Sequence, residues 1–144
     1  MKKIVLFSQL EEESLNQLKK IKSHMNVADF EFHLVHCHKI QVYMNELSIY
    51  SYPGEEQFEE LKNATDNILK QFANELGLKN FSVHSFIDAD PKSRCVTFLE
   101  DIDADLCVVA TKGKKGLEGF FESSFSSQMN KYAPCDVLVL RPIK

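Results

Sequence analysis

No apolar run in this 144-residue chain approaches the roughly 18–20 residues that a membrane-spanning helix requires. No low-complexity tract interrupts it. The start, Met1-Lys2-Lys3, leads straight into an apolar run of strand length, without the small-residue cleavage site of a secretion signal. No C-x-x-C pair occurs: Cys37, Cys95, Cys107 and Cys135 are scattered, the pattern of reduced thiols in a cytoplasmic protein. An excess of basic charge is missing too. The formal net charge of −4 argues against a general nucleic-acid or acidic-membrane surface, while leaving room for a local basic loop. What remains is an ordinary globular composition, 44% apolar and 26% charged, at a length that suits one domain over residues 1–144.

The pattern alternates short apolar runs with helical periods. Ile4 to Phe7 is a continuous apolar run of β formers, as expected of a strand buried on both faces. Leu15, Leu18, Ile21 and Met25 then recur at helical spacing, with lysines 19, 20 and 22 on the other side. Phe30 to Cys37 predicts a second strand. Residues 39–53 have no clean period, and Met44, Leu47, Ile49, Tyr50 and Tyr52 make them too apolar for a solvated loop. Pro53-Gly54 breaks that segment. A long helix is predicted from about Glu55 to Leu76, with Phe58, Leu61, Ile68, Leu69, Phe72 and Leu76 as its buried stripe and Gly77 as its cap. Phe81 to Ile87 alternates like a half-buried strand. Asp90-Pro91 is a helix start, and that helix runs to about Asp101 with Val96, Leu99 and Ile102 inward. Leu106 to Ala110 is the fourth strand, a helix over about Ser123 to Tyr132 follows, and Val137 to Leu140 is the fifth strand.

Five strands alternating with four helices imply an α/β fold with a doubly wound, five-stranded parallel sheet and right-handed crossovers. Ligands of such sheets sit outside the carboxyl ends of the strands, where strand order reverses. The ends of strands one, two and four therefore make the candidate site walls: Ser8-Gln9, Cys37-His38 and Thr111 onward. After Thr111 come Gly113 and Gly116, amid Lys112, Lys114 and Lys115. A strand, a flexible basic loop and a helix start can aim backbone N–H groups at an anion. Taken alone, the same loop also reads as a solvated turn. His33, His36, Cys37 and His38 invite a metal reading. In a strand, however, His36 and His38 share one face while His33 and Cys37 take the other, with His84 as the one obvious recruit. Two ligands on a face do not close a zinc site, which needs three or four. The serines at 123, 124, 126 and 127 read as helix-capping residues rather than nucleophiles.

With strands and loop placed, the chain resembles the universal stress protein family over essentially its whole length. The resemblance is strongest in ADLCVVATKGKKGLEGFF...SSFSSQMNKYAPCDVLVLRP: an Ala-Asp-Leu strand, a G-x-x-G loop, a serine helix start, an Ala-Pro-Cys turn and a final Val-Leu-Val strand. KKIVLFSQLEEESLNQLK resembles the family's first strand and helix, and Asp90-Pro91 falls where such a pair is common. The resemblance implies strand order 3-2-1-4-5, the adenine-nucleotide-alpha-hydrolase-like arrangement. It also implies a homodimer paired through Val137-Leu140. In nucleotide-binding members ATP, with or without magnesium, lies at the carboxyl end of the sheet. The implied cofactor-binding residues are Ser8, Gln9, Cys37, Thr111, Gly113, Gly116, Ser123, Ser124, Phe125 and Ser126, with no catalytic or metal-binding residue. Two of these depart from the family pattern. Ser123 replaces a glycine, adding a Cβ where a phosphate approaches, and Gln9 stands where an aspartate is expected and offers no carboxylate. The expected function is nucleotide-binding regulation in stress adaptation, without enzyme activity. The alternatives are a dimeric, partner-binding regulator that holds no nucleotide, and a hydrolase on a related fold for which no catalytic base is in place.

Overall fold

The computed structural model describes residues 1–40, 43–44, 50–51, 55–111 and 125–143, with the backbone alone at 43–44, 50–51 and 55–56. The strands are β1 (Lys3–Phe7), β2 (Glu31–Lys39), β3 (Tyr43–Met44), β4 (Tyr50–Ser51), β5 (Phe81–Asp88), β6 (Leu106–Ala110) and β7 (Asp136–Leu140). The α-helices are α1 (Glu12–Leu18), α2 (Glu55–Glu75), α3 (Pro91–Asp101) and α4, helical over residues 125–132. The main sheet runs β5-β2-β1-β6-β7 with every pairing parallel, and β3 and β4 form a small antiparallel ladder beside it. Without that ladder the order is the expected 3-2-1-4-5.

A parallel sheet covered on both faces needs apolar side chains at even and odd positions alike. The central strand supplies them. Ile4 and Leu6 belong to one core with Leu18 at the end of α1, Ile21 just after it, Leu69 and Phe72 of α2, and Leu76 just past α2. Val5 and Phe7 belong to the other, with Cys95, Phe98 and Leu99 of α3 and Met129 of α4. β2 divides in the same way: Phe32 and Leu34 face α1 and α2, and Val35 and Cys37 face α3 and α4.

Three expectations need correction. The first helix is shorter than its period suggests: α1 ends at Leu18 and the chain tightens into a 3₁₀ turn, Lys19–Ser23. The apolar face survives the change, because Leu18 and Ile21 stay buried and Leu15 and Met25 pack against that core. On α2, Leu61 and Ile68 are each 40% exposed, so neither belongs to the buried stripe. Ile68 sits about 100° around the helix from Leu69. Leu61 lies one turn before Thr65, where the sheet presents the polar His38 rather than an apolar side chain. On α3, Cys95 and Phe98 join Leu99 in the core, while Val96 and Ile102 only pack against it. The expectations for residues 45–49 and 52–54, including Leu47, Ile49, Tyr52 and Pro53-Gly54, lie outside the described residues.

The helix ends follow local chemistry. Asp90 caps α3: its carboxylate accepts from the Ser93 N–H at 3.3 Å and the Ser93 hydroxyl at 2.8 Å, with Pro91 in the first turn. Gly77 closes α2 at φ +73°. The Leu78 N–H donates to the Ala73 carbonyl and the Gly77 N–H to the Asn74 carbonyl, which is the Schellman pattern. A Cβ at Gly77 would meet no atom within 4 Å, so only the backbone conformation opposes one there. Gly77→Ala is expected to destabilise the fold by about 1–2 kcal/mol, read as a lowered denaturation midpoint at unchanged slope. An unchanged midpoint would contradict the left-handed cap.

Candidate functional site

β1 ends at Phe7 opposite Val35, while β2 runs on to Lys39 and β6 ends at Ala110; the chain leaves β1 toward α1 and β6 toward α4. The split at β1 is the topological switch point, where a crevice must open because neighbouring connections go to opposite faces. A cavity of about 220 Å³ lies there, lined by Phe7, Ser8 and Gln9 after β1, Val35, His36 and Cys37 of β2, Pro91 and Cys95 of α3, Val109 and Ala110 of β6, and Phe125 of α4. The lining combines apolar and sulfur-bearing side chains with the polar Ser8, Gln9 and His36.

Ser8 is the hinge of the β1 wall. Its N–H donates to the Val35 carbonyl at 2.9 Å, its hydroxyl accepts from the Leu10 N–H at 3.2 Å, and its carbonyl accepts from His36 Nδ1 at 2.6 Å. Leu10 sits at φ +60°, a conformation uncommon for a branched side chain, so the chain turns sharply just past Gln9. The His36 bond fixes its tautomer, with the proton on Nδ1 and Nε2 left as an acceptor. His38 takes the other form. Thr65 donates its hydroxyl proton to the Leu61 carbonyl at 2.8 Å, so the 2.8 Å contact to His38 is a bond donated by Nε2–H. Burial holds His36 below its ordinary pKa of 6.5; burial and the neighbouring His36 do the same to His38.

The other two histidines of the main sheet stand apart from the cleft. His33 Nε2 meets the Glu31 carboxylate at 2.7 Å and its Nδ1 meets His84 Nε2 at 3.0 Å. Both rings pack on Phe98, and burial lowers the His84 pKa. His84 thus pairs with His33 rather than with His36 and His38. Among the described residues no group of three or more His, Cys, Asp or Glu is arranged to hold a metal ion.

Four of the ten residues named from sequence line the cavity: Ser8, Gln9, Cys37 and Phe125. Thr111 does not. It is buried at the end of β6, where its N–H donates to the Leu140 carbonyl at 3.0 Å. Ser126 is buried in the first described turn of α4, with its hydroxyl unpaired among the described residues. Gly113, Gly116, Ser123 and Ser124 lie outside the described residues.

Sequence reasoning missed Gln17, Cys95 and His36. Gln17 is 2% exposed, and its side-chain amide donates to the Thr111 carbonyl at 2.5 Å and the Leu140 carbonyl at 2.7 Å. One amide therefore ties the ends of β6 and β7 together. A polar residue between Leu15 and Leu18 on a helix reads as solvent-facing, and only the pairing of β6 with β7 reveals its partners. Cys95 gave a usable signal, lying one position from the expected inward Val96 and four before Leu99.

The fold and cleft define a doubly wound α/β protein with its crevice at the β1 switch point, the architecture of small nucleotide-binding domains. Comparison with known proteins narrows this. The universal stress protein family matches residues 1–141, and the chain belongs to that family. A Staphylococcus saprophyticus protein assigned to the universal stress proteins is 33% identical over 86 residues, 58% of this chain and 52% of its own length. The chain thus matches about half the length of such curated relatives. Among solved structures, a universal stress protein in complex with cAMP covers 99% of this chain and 98% of its own at 14% identity and TM-score 0.69. The universal stress protein from Archaeoglobus fulgidus in complex with dAMP covers 97% of each chain at 13% identity and TM-score 0.62.

Two outcomes test this geometry. Gln17→Leu takes the side-chain donor from the Thr111 and Leu140 carbonyls, the second of which keeps the Thr111 N–H, and is expected to cost about 1–3 kcal/mol in urea unfolding; an unchanged stability would rule out the amide bridge. His36, His38 and His84 bind protons more weakly folded than unfolded. Any stability they withhold is absent above the unfolded value of 6.5, and a penalty grows as pH falls through 6.5 toward their folded values. Stability should therefore drop on acidification from about pH 7 to 5, and His36→Gln should flatten that slope. A slope that Gln at position 36 leaves intact would place the titration elsewhere.

Proposed function

We propose that the chain is a nucleotide-binding regulator of the universal stress protein family, holding an adenine nucleotide in the cleft at the carboxyl end of β1, β2 and β6. The observation that carries this reading is the cleft itself: Ser8, Gln9, Cys37 and Phe125, picked from sequence as nucleotide contacts, converge on one cavity. At about 220 Å³ it is smaller than the roughly 300–1,000 Å³ of sites for drug-sized ligands. That suits a base and part of its sugar, with the phosphates extending toward residues 112–124 and their lysines and glycines. In this reading the purine lies against Cys37 and Phe125, and the ribose meets Ser8 and Gln9. The Ser126 hydroxyl, unpaired among the described residues, would donate to a phosphate oxygen, since leaving a buried hydroxyl unmet costs about 1–3 kcal/mol. Gly113, Gly116, Ser123 and Ser124 would cradle the phosphates, with magnesium supplied by the nucleotide. The cAMP and dAMP held by structural neighbours of this fold support the same ligand class.

The reading extends to assembly and setting. Among the described strands β7 pairs with β6 alone, and Val137, Leu138 and Val139 are only partly buried, so a second copy pairing along β7 would cover an exposed edge. The protein is then a cytoplasmic homodimer of one domain per chain, acting in stress adaptation without turnover of its nucleotide. No described helix is long and apolar enough to cross a membrane.

A second reading, a dimeric regulator without nucleotide, is favoured by Gln9, which lines the cleft but offers a ribose or metal no carboxylate. Thermal melts with millimolar AMP and with ATP plus magnesium separate the two, because a ligand of the folded state raises its melting temperature by mass action. A rise is expected, abolished by Gly113→Val and kept or enlarged by Ser123→Gly. A melting temperature unmoved by either nucleotide would sink the nucleotide reading in favour of the second.

A further inference from the structure

The scattered cysteines are not scattered in the fold. Cys37, near the end of β2, and Cys95, in the second turn of α3, both line the cleft. Both pack in the core cluster on the α3 face of the sheet, where the Cys37 thiol donates to the His38 carbonyl at 3.8 Å and the neighbouring thiol is the largest influence on the pKa of each. The sequence separates them by a long helix and a strand; the right-handed crossover into α3 brings them back together. Cys37 is partly exposed and Cys95 is buried.

We propose that Cys37 and Cys95 form a peroxide-sensitive dithiol in the wall of the cleft, convertible to a disulfide without unfolding. The two sulfurs differ in role. A thiolate at Cys37 accepts the bond from the Cys95 thiol, and this bond lowers the Cys37 pKa, helped by the Arg94 guanidinium against burial and Asp88. The same bond and its burial keep Cys95 protonated. Cys37 is thus the attacking sulfur and Cys95 the resolving one. In the second pair neither thiol is lowered: burial raises the pKa of both Cys107 and Cys135, outweighing at Cys135 the bond from Cys107, and Cys107 is wholly buried in β6.

The chemistry closes with hydrogen peroxide as the oxidant. The Cys37 thiolate attacks one peroxide oxygen; the S–O bond forms, the O–O bond breaks, and the leaving hydroxide takes up a proton as water. Cys95 Sγ then attacks the Cys37 sulfenic acid. The S–S bond forms, the S–O bond breaks, and hydroxide leaves with the Cys95 proton as a second water. Two electrons pass from the thiols to the peroxide.

Bond formation shortens the sulfur separation from a hydrogen-bonded contact to about 2.05 Å. That draws the first turns of α3, with Pro91, toward β2 across the cavity. The disulfide stands independently of the nucleotide; its consequence for ligand binding rests on the nucleotide reading above.

The test treats the reduced, folded protein with stoichiometric hydrogen peroxide, blocks remaining thiols with N-ethylmaleimide, and maps the unreduced digest by mass spectrometry. The expected result is a Cys37–Cys95 crosslink with Cys107 alkylated once the protein is denatured. In Cys95→Ser, dimedone is expected to trap a sulfenic acid at Cys37. If that variant does not fold, the wild-type map decides alone. Recovery of Cys37 as an alkylated thiol, or a Cys107–Cys135 crosslink formed first, overturns the proposal. A parallel melt with AMP reads the consequence: the shift seen with reduced protein should be lost on oxidation and return with dithiothreitol. An equal shift in both forms overturns the effect on the cleft. No shift in either form overturns the nucleotide reading and leaves the mapped crosslink standing.

Discussion

The central strand must hydrogen-bond on both edges and bury side chains on both faces. β1 meets that demand with β2 on one side and β6 on the other, and with Ile4 and Leu6 on one face opposed to Val5 and Phe7 on the other. Everything that matters at the cleft follows from where this strand stops. Ser8 is the first residue past its end, and all three of its polar contacts, to Val35, Leu10 and His36, hold the exit from the strand in place. Since the chain leaves toward α1 there and toward α4 after β6, no backbone of the described residues fills the gap between them.

Polar side chains buried around this frame have work that an apolar residue could not do. Gln17 supplies donors to two strand-end carbonyls, Thr65 receives His38, and the Ser85 hydroxyl donates to the Asp66 carboxylate. They cluster where the regular ladder runs out or where a helix crosses the sheet. The cores between them are apolar, and the cavity borders the α3-side core, whose Phe7, Val35, Cys37, Cys95, Val109 and Phe125 line it beside the polar Ser8, Gln9 and His36.

Strand positions were plain in the sequence because a sheet buried on both faces leaves continuous apolar runs, as in Ile4 to Phe7 and Leu106 to Ala110. The helix caps at Asp90-Pro91 and Gly77 were equally plain, because each answers a backbone requirement that few residues meet. The stripe on α2 was less so. Leu61 and Ile68 have the right chemistry, but exposure depends on where the sheet ends beneath the helix, which a period cannot express. The cleft residues Ser8, Gln9 and Cys37 could be placed from topology, since strand ends are local. Gln17, His36 and Cys95 could not, because their roles depend on partners far along the chain. Gln17 looks like helix surface until β6 and β7 lie side by side, and Cys95 looks like any core thiol until Cys37 faces it.

The Gln17 amide also sets an order of events in folding. Its two bonds reach across 94 and 123 residues of sequence. Closing such loops is slow compared with forming the helices and local turns, and its entropy is lost before the contact returns anything. α1 can therefore form early with a buried-to-be amide still hydrated, and the amide becomes dry only when β7 has joined the sheet. During synthesis that moment comes after Leu140 has left the ribosome. The joint between the ends of β6 and β7 is among the last parts of the molecule to assemble, although the residue that fixes it is made among the first.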